Sequence, residues 1–105
     1  MRITVLGATG MAGTAVVNEA LSRGHEVTAV SRRWRHRAGA RLTSRLLDAT
    51  DVEGVAGLLK DSDAAVVALR PPAGHESDLA QLTTAVLDAA SRGRTPLLII
   101  GGAAP

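Results

Sequence analysis

The fold is decided near the start of the chain, by residues 2–13, which read RITVLGATGMAG. The first five of these are mostly apolar and predict a β-strand over Arg2–Leu6. Glycines follow at intervals of three residues, from Gly7 to Gly13, and apolar residues at helical spacing begin at Met11. The stretch therefore predicts a strand, a glycine-rich turn and a helix in direct succession.

This arrangement is the one that binding of a pyrophosphate requires. Gly7 allows a tight turn out of the strand, Gly10 lets the backbone approach a phosphate closely, and Gly13 lets the helix pack near the strand. The N–H groups and the positive end of the helix dipole then face the phosphates. The alternative is a strand-to-helix turn that uses glycine only for its backbone angles.

The rest of the chain continues the alternation of strands and helices. Strands are predicted over Glu26–Val30, Leu42–Leu47, Ala64–Leu69 and Leu97–Ile100, and helices over Met11–Ser22, Val52–Leu59 and Ser77–Ala90. Thr50 precedes Glu53 at the spacing of a capping box and is expected to start the second helix. This alternation predicts an α/β fold, a doubly wound parallel (Rossmann) sheet of five strands in the order 3-2-1-4-5 with helices on both faces. We expect one domain over residues 1–105, truncated after strand 5.

Composition excludes several classes of protein. Hydrophobic residues make up 46% and charged residues 21% of the chain, which is typical of a folded domain. The absence of cysteine excludes disulfides and thiolate chemistry, and the three histidines are too scattered for a metal site. No apolar run or leader segment indicates a membrane span or export, so we expect no membrane partner and a cytoplasmic location.

The end of strand 2 predicts the type of dinucleotide. Proteins that prefer NAD place an acid there, about 20 residues beyond the glycines, to bind the ribose 2′-hydroxyl. This chain instead has Ser31, Arg32 and Arg33, while Glu26 lies at the other end of the strand. A hydroxyl and two guanidinium groups suit a 2′-phosphate and predict NADP(H) in preference to NAD(H). A solvated basic loop is the alternative.

Two further segments are predicted at the same sheet edge. Asp48 follows strand 3, where its carboxylate is placed to accept a hydrogen bond from the adenine amino group. The alternative is that Asp48 and Asp51 only favour the N-terminus of the next helix. Leu69, Arg70 and the two prolines after them follow strand 4. That loop is placed to pack on the ribose or nicotinamide, or it is only a proline-stiffened connection.

The sequence resembles the atypical short-chain dehydrogenase/reductases with NAD(P)H-binding, NmrA-like domains, of the flavin and biliverdin reductase type. The resemblance covers the whole chain and is carried by residues 3–13 (ITVLGATGMAG), 24–32 (GHEVTAVSR), 47–51 (LDATD), 63–67 (DAAVV) and 98–103 (LIIGGA). It implies that the pyrophosphate contacts are Gly7, Ala8, Thr9, Gly10, Met11 and Ala12. It also implies that Arg32 contacts the adenosine phosphate, that Asp48 and Ala49 lie by the adenine, and that Leu69 and Arg70 lie near the ribose.

The chain departs from this family in two respects. Members usually continue for about as many residues again, and the continuation carries the substrate pocket, so we expect only the N-terminal Rossmann half here. The chain also has no tyrosine, which removes the Tyr-x-x-x-Lys acid–base pair of ordinary short-chain reductases. No catalytic residue is therefore predicted.

Three functions remain after this comparison. The first is hydride transfer from NADPH to a flavin-like or quinone-like acceptor, which uses the chemistry of the cofactor itself. The second is a non-catalytic, NADP(H)-sensing module of the NmrA-like kind, or a truncated remnant. The third, nucleic-acid binding through the arginines of residues 32–45, is disfavoured because Trp34 is the only aromatic side chain available for stacking. A sheet that stops at strand 5 exposes an apolar edge, so a homodimer is an open prediction.

Overall fold

A computed structural model of the chain describes residues 1–8, 10–32, 39–48, 51–68 and 78–100. Within them, the elements in chain order are β1 (Arg2–Leu6), α1 (Met11–Ser22), β2 (Glu26–Ser31), β3 (Leu42–Leu46), α2 (Val52–Lys60), β4 (Ala64–Val67), α3 (Asp78–Gly93) and β5 (Leu97–Ile99). The predicted elements are therefore present: β1 and α1 have the predicted bounds, and the bounds of the others differ by at most three residues. The largest extension is that of α3, which continues to Gly93 rather than ending at Ala90.

The described strands form one parallel sheet in the order β3-β2-β1-β4-β5, as predicted. Leu6 of β1 lies beside Val30 of β2 on one side and beside Val67 of β4 on the other. Val67 lies in turn beside Ile99 of β5. This register brings the carboxyl ends of the strands to a common edge, with β1 at its centre.

The sheet is covered on both faces because successive side chains of a strand point to opposite sides. On the face covered by α1, the buried residues are Val5, Ala8, Val17, Ala20, Val27, Ala29 and Leu42. On the face covered by α2 and α3, they are Leu6, Val30, Val55, Leu59, Ala65, Val67, Val86, Ala89 and Ala90. Small aliphatic side chains fill both layers, which allows the helices to lie close to the strands.

The edge strands β3 and β5 expose apolar side chains, in line with the apolar edge expected at strand 5. Leu98 of β5 is 63% exposed and Ile99 is 42% exposed. Leu46, at the end of β3, is also exposed. The predicted strand order already placed β3 and β5 at the two edges, and the exposure of these side chains follows from that order.

The start of α2 differs from the predicted capping box. The capping residue is Asp51, whose Oδ1 accepts a hydrogen bond from the backbone N–H of Gly54 at 3.1 Å. The predicted cap, Thr50, lies outside the described residues. Glu53 is in the first turn, where its charge is favourable to the helix dipole.

The far end of α1 follows the prediction. Gly24 comes directly after Arg23, the C-cap of the helix, and has a φ of 85°, a conformation that glycine adopts without strain. Its N–H donates to the carbonyl of Leu21 at 3.0 Å. The turn aims the chain into β2, beside β1.

Candidate dinucleotide-binding site

The carboxyl edge of the sheet brings together residues that are far apart in the sequence. Gly7 follows β1, Ser31 ends β2 with Arg32 directly after it, and Asp48 comes shortly after β3. Backbone hydrogen bonds tie these ends to one another, since Leu47 N–H donates to Ser31 O at 3.0 Å. The predicted site residues that the structure describes therefore share one edge.

The glycine turn is anchored by the backbone of the neighbouring strand. The N–H groups of Gly7 and Ala8 both donate to the carbonyl oxygen of Val30, at 2.9 and 3.1 Å. Gly7 has a φ of 82°, a backbone angle that residues other than glycine rarely adopt. These two amides thus shape the turn, and any phosphate contact through Gly7 or Ala8 needs other atoms of those residues.

Gly13 sets how close α1 lies to the turn. A Cβ at this position would overlap Gly7 O and would lie 2.8 Å from Gly7 C and 2.9 Å from Ala8 Cα. All three are backbone atoms, which have no side-chain rotation by which to move away. The predicted packing role of Gly13 is confirmed.

Gly10 differs from Gly13 because contacts within the described protein do not require a glycine there. It is the N-cap of α1, with φ −74° and ψ 171°, a conformation open to any residue. A Cβ there would meet only Gly7 O, at an ordinary contact distance of 3.7 Å. Within the described residues, neither space nor backbone angle requires glycine at Gly10, and the room in front of the helix is left clear.

The N-terminus of α1 has the features of an anion site. The N-cap residue, Gly10, has no side chain with which to cap the helix, and the first turn contains no acidic residue. The N–H groups of the first turn have no partner inside a helix, and they carry the positive end of the dipole. Met11, the first helical residue, is 91% exposed, so this end of the helix faces open space.

The end of β2 presents a hydroxyl and a cation side by side. Ser31 is buried and is the last residue of the strand, whereas Arg32 is exposed. Glu26 lies at the opposite end of β2, where it pairs with the Nε of Arg2 at 3.2 Å. As predicted, Glu26 is not at the position of a ribose-binding acid.

Asp48 is exposed and remains near the start of α2. Its carbonyl oxygen accepts the N–H of Asp51 at 3.0 Å, and Asp51 is the residue that caps the helix. The favourable role at the helix start is thus confirmed for Asp51, while the adenine contact of Asp48 stays a prediction. The remaining predicted contacts, which fall outside the described residues, are Thr9, Arg33, Ala49, Leu69 and Arg70.

Two partners of the turn were missed from the sequence. One is the carbonyl of Val30, which no side-chain motif can reveal because its role depends on how β1 and β2 pair. The other is Thr14, whose hydroxyl donates to the carbonyl of Ala8 at 3.0 Å. A threonine directly after the last glycine was the available signal for this second contact.

A polar cavity of about 360 Å³ lies at the other edge of the sheet, near the amino ends of β1 and β2. Its arginines are already bound to the protein: Arg2 pairs with Glu26, and Arg41 donates to the carbonyl of Leu21 at 3.1 Å. The glycine turn therefore remains the better candidate. Across the described ranges, no helix is long and apolar enough to span a membrane.

Comparison with known proteins agrees with this geometry. Residues 7–104 match the model of a family described as NAD(P)H-binding. None of the curated proteins compared with the chain matches it.

Solved structures extend the comparison. A protein provisionally named as exported, from Burkholderia pseudomallei, is 32% identical with a TM-score of 0.81, over 98% of this chain and 48% of its own. A protein provisionally named as an epimerase, from Bacteroides thetaiotaomicron, is 30% identical with a TM-score of 0.82, over 97% of this chain and 47% of its own. A UDP-glucose-4-epimerase from Stenotrophomonas maltophila, with bound NAD, shares the fold at 20% identity and a TM-score of 0.79, over 94% of this chain and 36% of its own.

The chain thus spans about half the length of the first two structures. The sheet order, the glycine turn and the family match all fit an N-terminal, Rossmann half of a longer protein of this kind. The chain belongs to the NAD(P)H-binding family and has a Rossmann fold.

Proposed function

We propose that this chain binds NADP(H) in preference to NAD(H), with the pyrophosphate at the N-terminus of α1. The observation that carries the proposal is the uncapped helix N-terminus behind Gly10, where nothing in the described protein excludes a side chain. The space is explained when a phosphate occupies it, because the first-turn N–H groups and the dipole then have an anionic partner. We assign the pyrophosphate contacts to the turn from Gly7 to Ala12.

The preference for NADP(H) rests on the end of β2. Ser31 and Arg32 stand where an NAD-preferring protein has an acid, and Arg32 is exposed at the edge that holds the turn. A guanidinium group binds a 2′-phosphate through charge-assisted, paired hydrogen bonds. We also assign Arg33 to this phosphate, Asp48 and Ala49 to the adenine, and Leu69 and Arg70 to the ribose.

Calorimetric titration of NADPH and NADH tests the preference. A hydrogen bond to a charged group contributes about 1.5–3 kcal/mol, so Arg32→Ala is expected to weaken NADPH binding by about 10- to 100-fold. NADH, which lacks the 2′-phosphate, is expected to bind Arg32→Ala within about threefold of the original protein. The charge-matched control is Arg23→Ala, because Arg23 lies at the far end of α1 in an exposed ion pair with Glu19.

The results separate the parts of the proposal. Equal loss of NADPH and NADH in Arg32→Ala contradicts a specific contact with the 2′-phosphate. Equal affinity of the original protein for NADPH and NADH contradicts the preference itself. Failure to bind either dinucleotide contradicts the assignment of the site.

We further propose that the bound cofactor donates hydride to a flavin-like or quinone-like acceptor. The family match supports a nicotinamide cofactor, and this chemistry needs no tyrosine general acid, which the chain lacks. Loss of the reduced-nicotinamide absorbance on mixing protein, NADPH and FMN tests it. A rate no greater than that of NADPH and FMN without protein favours the second candidate, a non-catalytic NADP(H)-sensing module of the NmrA-like kind or a remnant of an enzyme.

Residues 1–105 are proposed to act as one dinucleotide-binding domain, with a cytoplasmic location. The exposed side chains of Leu98 and Ile99 on the edge strand β5 support association with a second copy of the chain. Sedimentation over a range of concentrations tests this, with Leu98→Lys expected to shift the protein to the monomer. A monomer at all concentrations contradicts the dimer.

A further inference from the structure

Thr14 makes hydrogen bonds to both sides of the glycine turn. Its Oγ1 donates to the carbonyl oxygen of Ala8 at 3.0 Å, and its backbone N–H donates to the carbonyl oxygen of Gly10 at 2.8 Å. The side-chain contact is partly buried. One residue of α1 therefore connects the helix to the entry and the exit of the turn.

The hydroxyl contact is not the usual one for a threonine in a helix. Such side chains commonly bond to the carbonyl four residues earlier, within their own helix. For Thr14 that carbonyl is the one of Gly10, which accepts the ordinary helical hydrogen bond of the Thr14 backbone N–H. The hydroxyl reaches six residues back to Ala8, outside the helix and across the turn.

The contact completes the restraint on Ala8. This residue is fully buried, and its N–H already donates to Val30 O at 3.1 Å. With Thr14 bound to its carbonyl, the backbone of Ala8 is held on both sides, and so is the peptide bond that leaves it. Without the hydroxyl, a poorly solvated carbonyl loses its partner, and the turn gains freedom to reorient towards water.

We propose that Thr14 is a positioning residue for the pyrophosphate site. It has no contact with the cofactor in this role; it holds the turn in the conformation that the phosphates need before they bind. The inference rests on the proposed function, because it assigns the pyrophosphate to this turn. It adds a residue that neither the glycine motif nor the family resemblance singles out.

The test compares two substitutions and three ligands by calorimetric titration. Thr14→Val keeps the shape of the side chain and removes the hydroxyl, whereas Thr14→Ser keeps the hydroxyl. The ligands are NADPH, NADH and adenosine 2′-phosphate, the last of which has the phosphate assigned to Arg32 but no pyrophosphate. A melting curve of each variant accompanies the titrations.

Thr14→Val is expected to weaken NADPH and NADH binding by the same factor, about three- to tenfold, the usual net effect of one hydrogen bond. The affinity for adenosine 2′-phosphate is expected to change by less than about twofold. Thr14→Ser is expected to bind all three ligands like the original protein. This pattern would show that the loss of affinity comes from the missing hydroxyl of Thr14 and concerns only ligands that contain a pyrophosphate.

Three results overturn the inference while leaving the proposed function intact. They are unchanged NADPH affinity in Thr14→Val, an equal loss for adenosine 2′-phosphate, and a Thr14→Ser variant as weak as Thr14→Val. The last two indicate a general loosening of the site or a role of the methyl group. If the original protein binds neither NADPH nor NADH, the proposed function fails, and this inference fails with it.

Discussion

Replacement of Gly13 by alanine tests the close packing of α1 on the glycine turn. The added Cβ would overlap Gly7 O and would lie within 3 Å of Gly7 C and Ala8 Cα, at 2.8 and 2.9 Å. Overpacking of a core costs about 1–3 kcal/mol, and we expect the upper end of this range because the obstructing atoms belong to the backbone. Alanine returns at most about 1 kcal/mol through its higher helix propensity.

The expected net effect of Gly13→Ala is a loss of about 2 kcal/mol in the free energy of unfolding. For a domain of this size it corresponds to a fall of roughly 8–16 °C in Tm. Urea and thermal unfolding, followed by circular dichroism, measure both quantities. Because the displaced atoms belong to the turn, NADPH affinity is expected to fall as well.

The matched control is Gly57→Ala in α2. Gly57 is also a helical glycine, but a Cβ there would meet no atom of the described residues within 4 Å, so only the propensity gain applies. We expect this variant to be more stable by up to about 1 kcal/mol. If Gly13→Ala is as stable as Gly57→Ala, α1 does not pack against the turn as described, and the reasoning is refuted.

Three further predictions concern the helix termini and the far edge of the sheet. Gly10→Ser supplies a good N-cap and is expected to change stability by only a few tenths of a kcal/mol. Its side chain would occupy the space proposed for the phosphate, so NADPH affinity measured by calorimetry is expected to fall at least about tenfold. Undiminished binding would argue against this position of the pyrophosphate. Asp51→Ala removes the cap of α2 and is expected to lower the free energy of unfolding in urea by about 1 kcal/mol. Asp51→Asn retains a capping oxygen and is expected to cost much less. Equal losses in the two variants would assign the effect to the charge of Asp51. Glu26→Gln breaks an exposed ion pair with Arg2 and is expected to change stability by less than about 1 kcal/mol. The ratio of NADPH to NADH affinity is expected to stay the same. A changed ratio would show that Glu26 acts on the ribose of the cofactor.

The sequence was sufficient for the fold, and it also predicts where the site lies. Apolar runs that alternate with amphipathic segments leave few arrangements open, because parallel strands need crossover helices of one hand. The glycine spacing after β1 then marks the edge at which ligands bind. These features depend on residues that are close together in the chain, so a single sequence is enough to recognise them.

Details that depend on pairing were not available from the pattern. The carbonyl of Val30 receives two amides of the turn only because β2 lies beside β1 in one register. The cap of α2 by Asp51 rather than Thr50 depends on a shift of one residue, which spacing rules do not resolve.

By itself, the sequence determined that a strand, a glycine turn and a helix follow one another, since glycine is required wherever side chains are sterically excluded. Only the tertiary structure distinguished the glycines from one another. Gly7 is required by its backbone angle and Gly13 by the atoms of the turn, whereas nothing in the described protein requires Gly10. The physical reason is that a motif records the absence of a side chain, and only three-dimensional contacts show what would occupy its space.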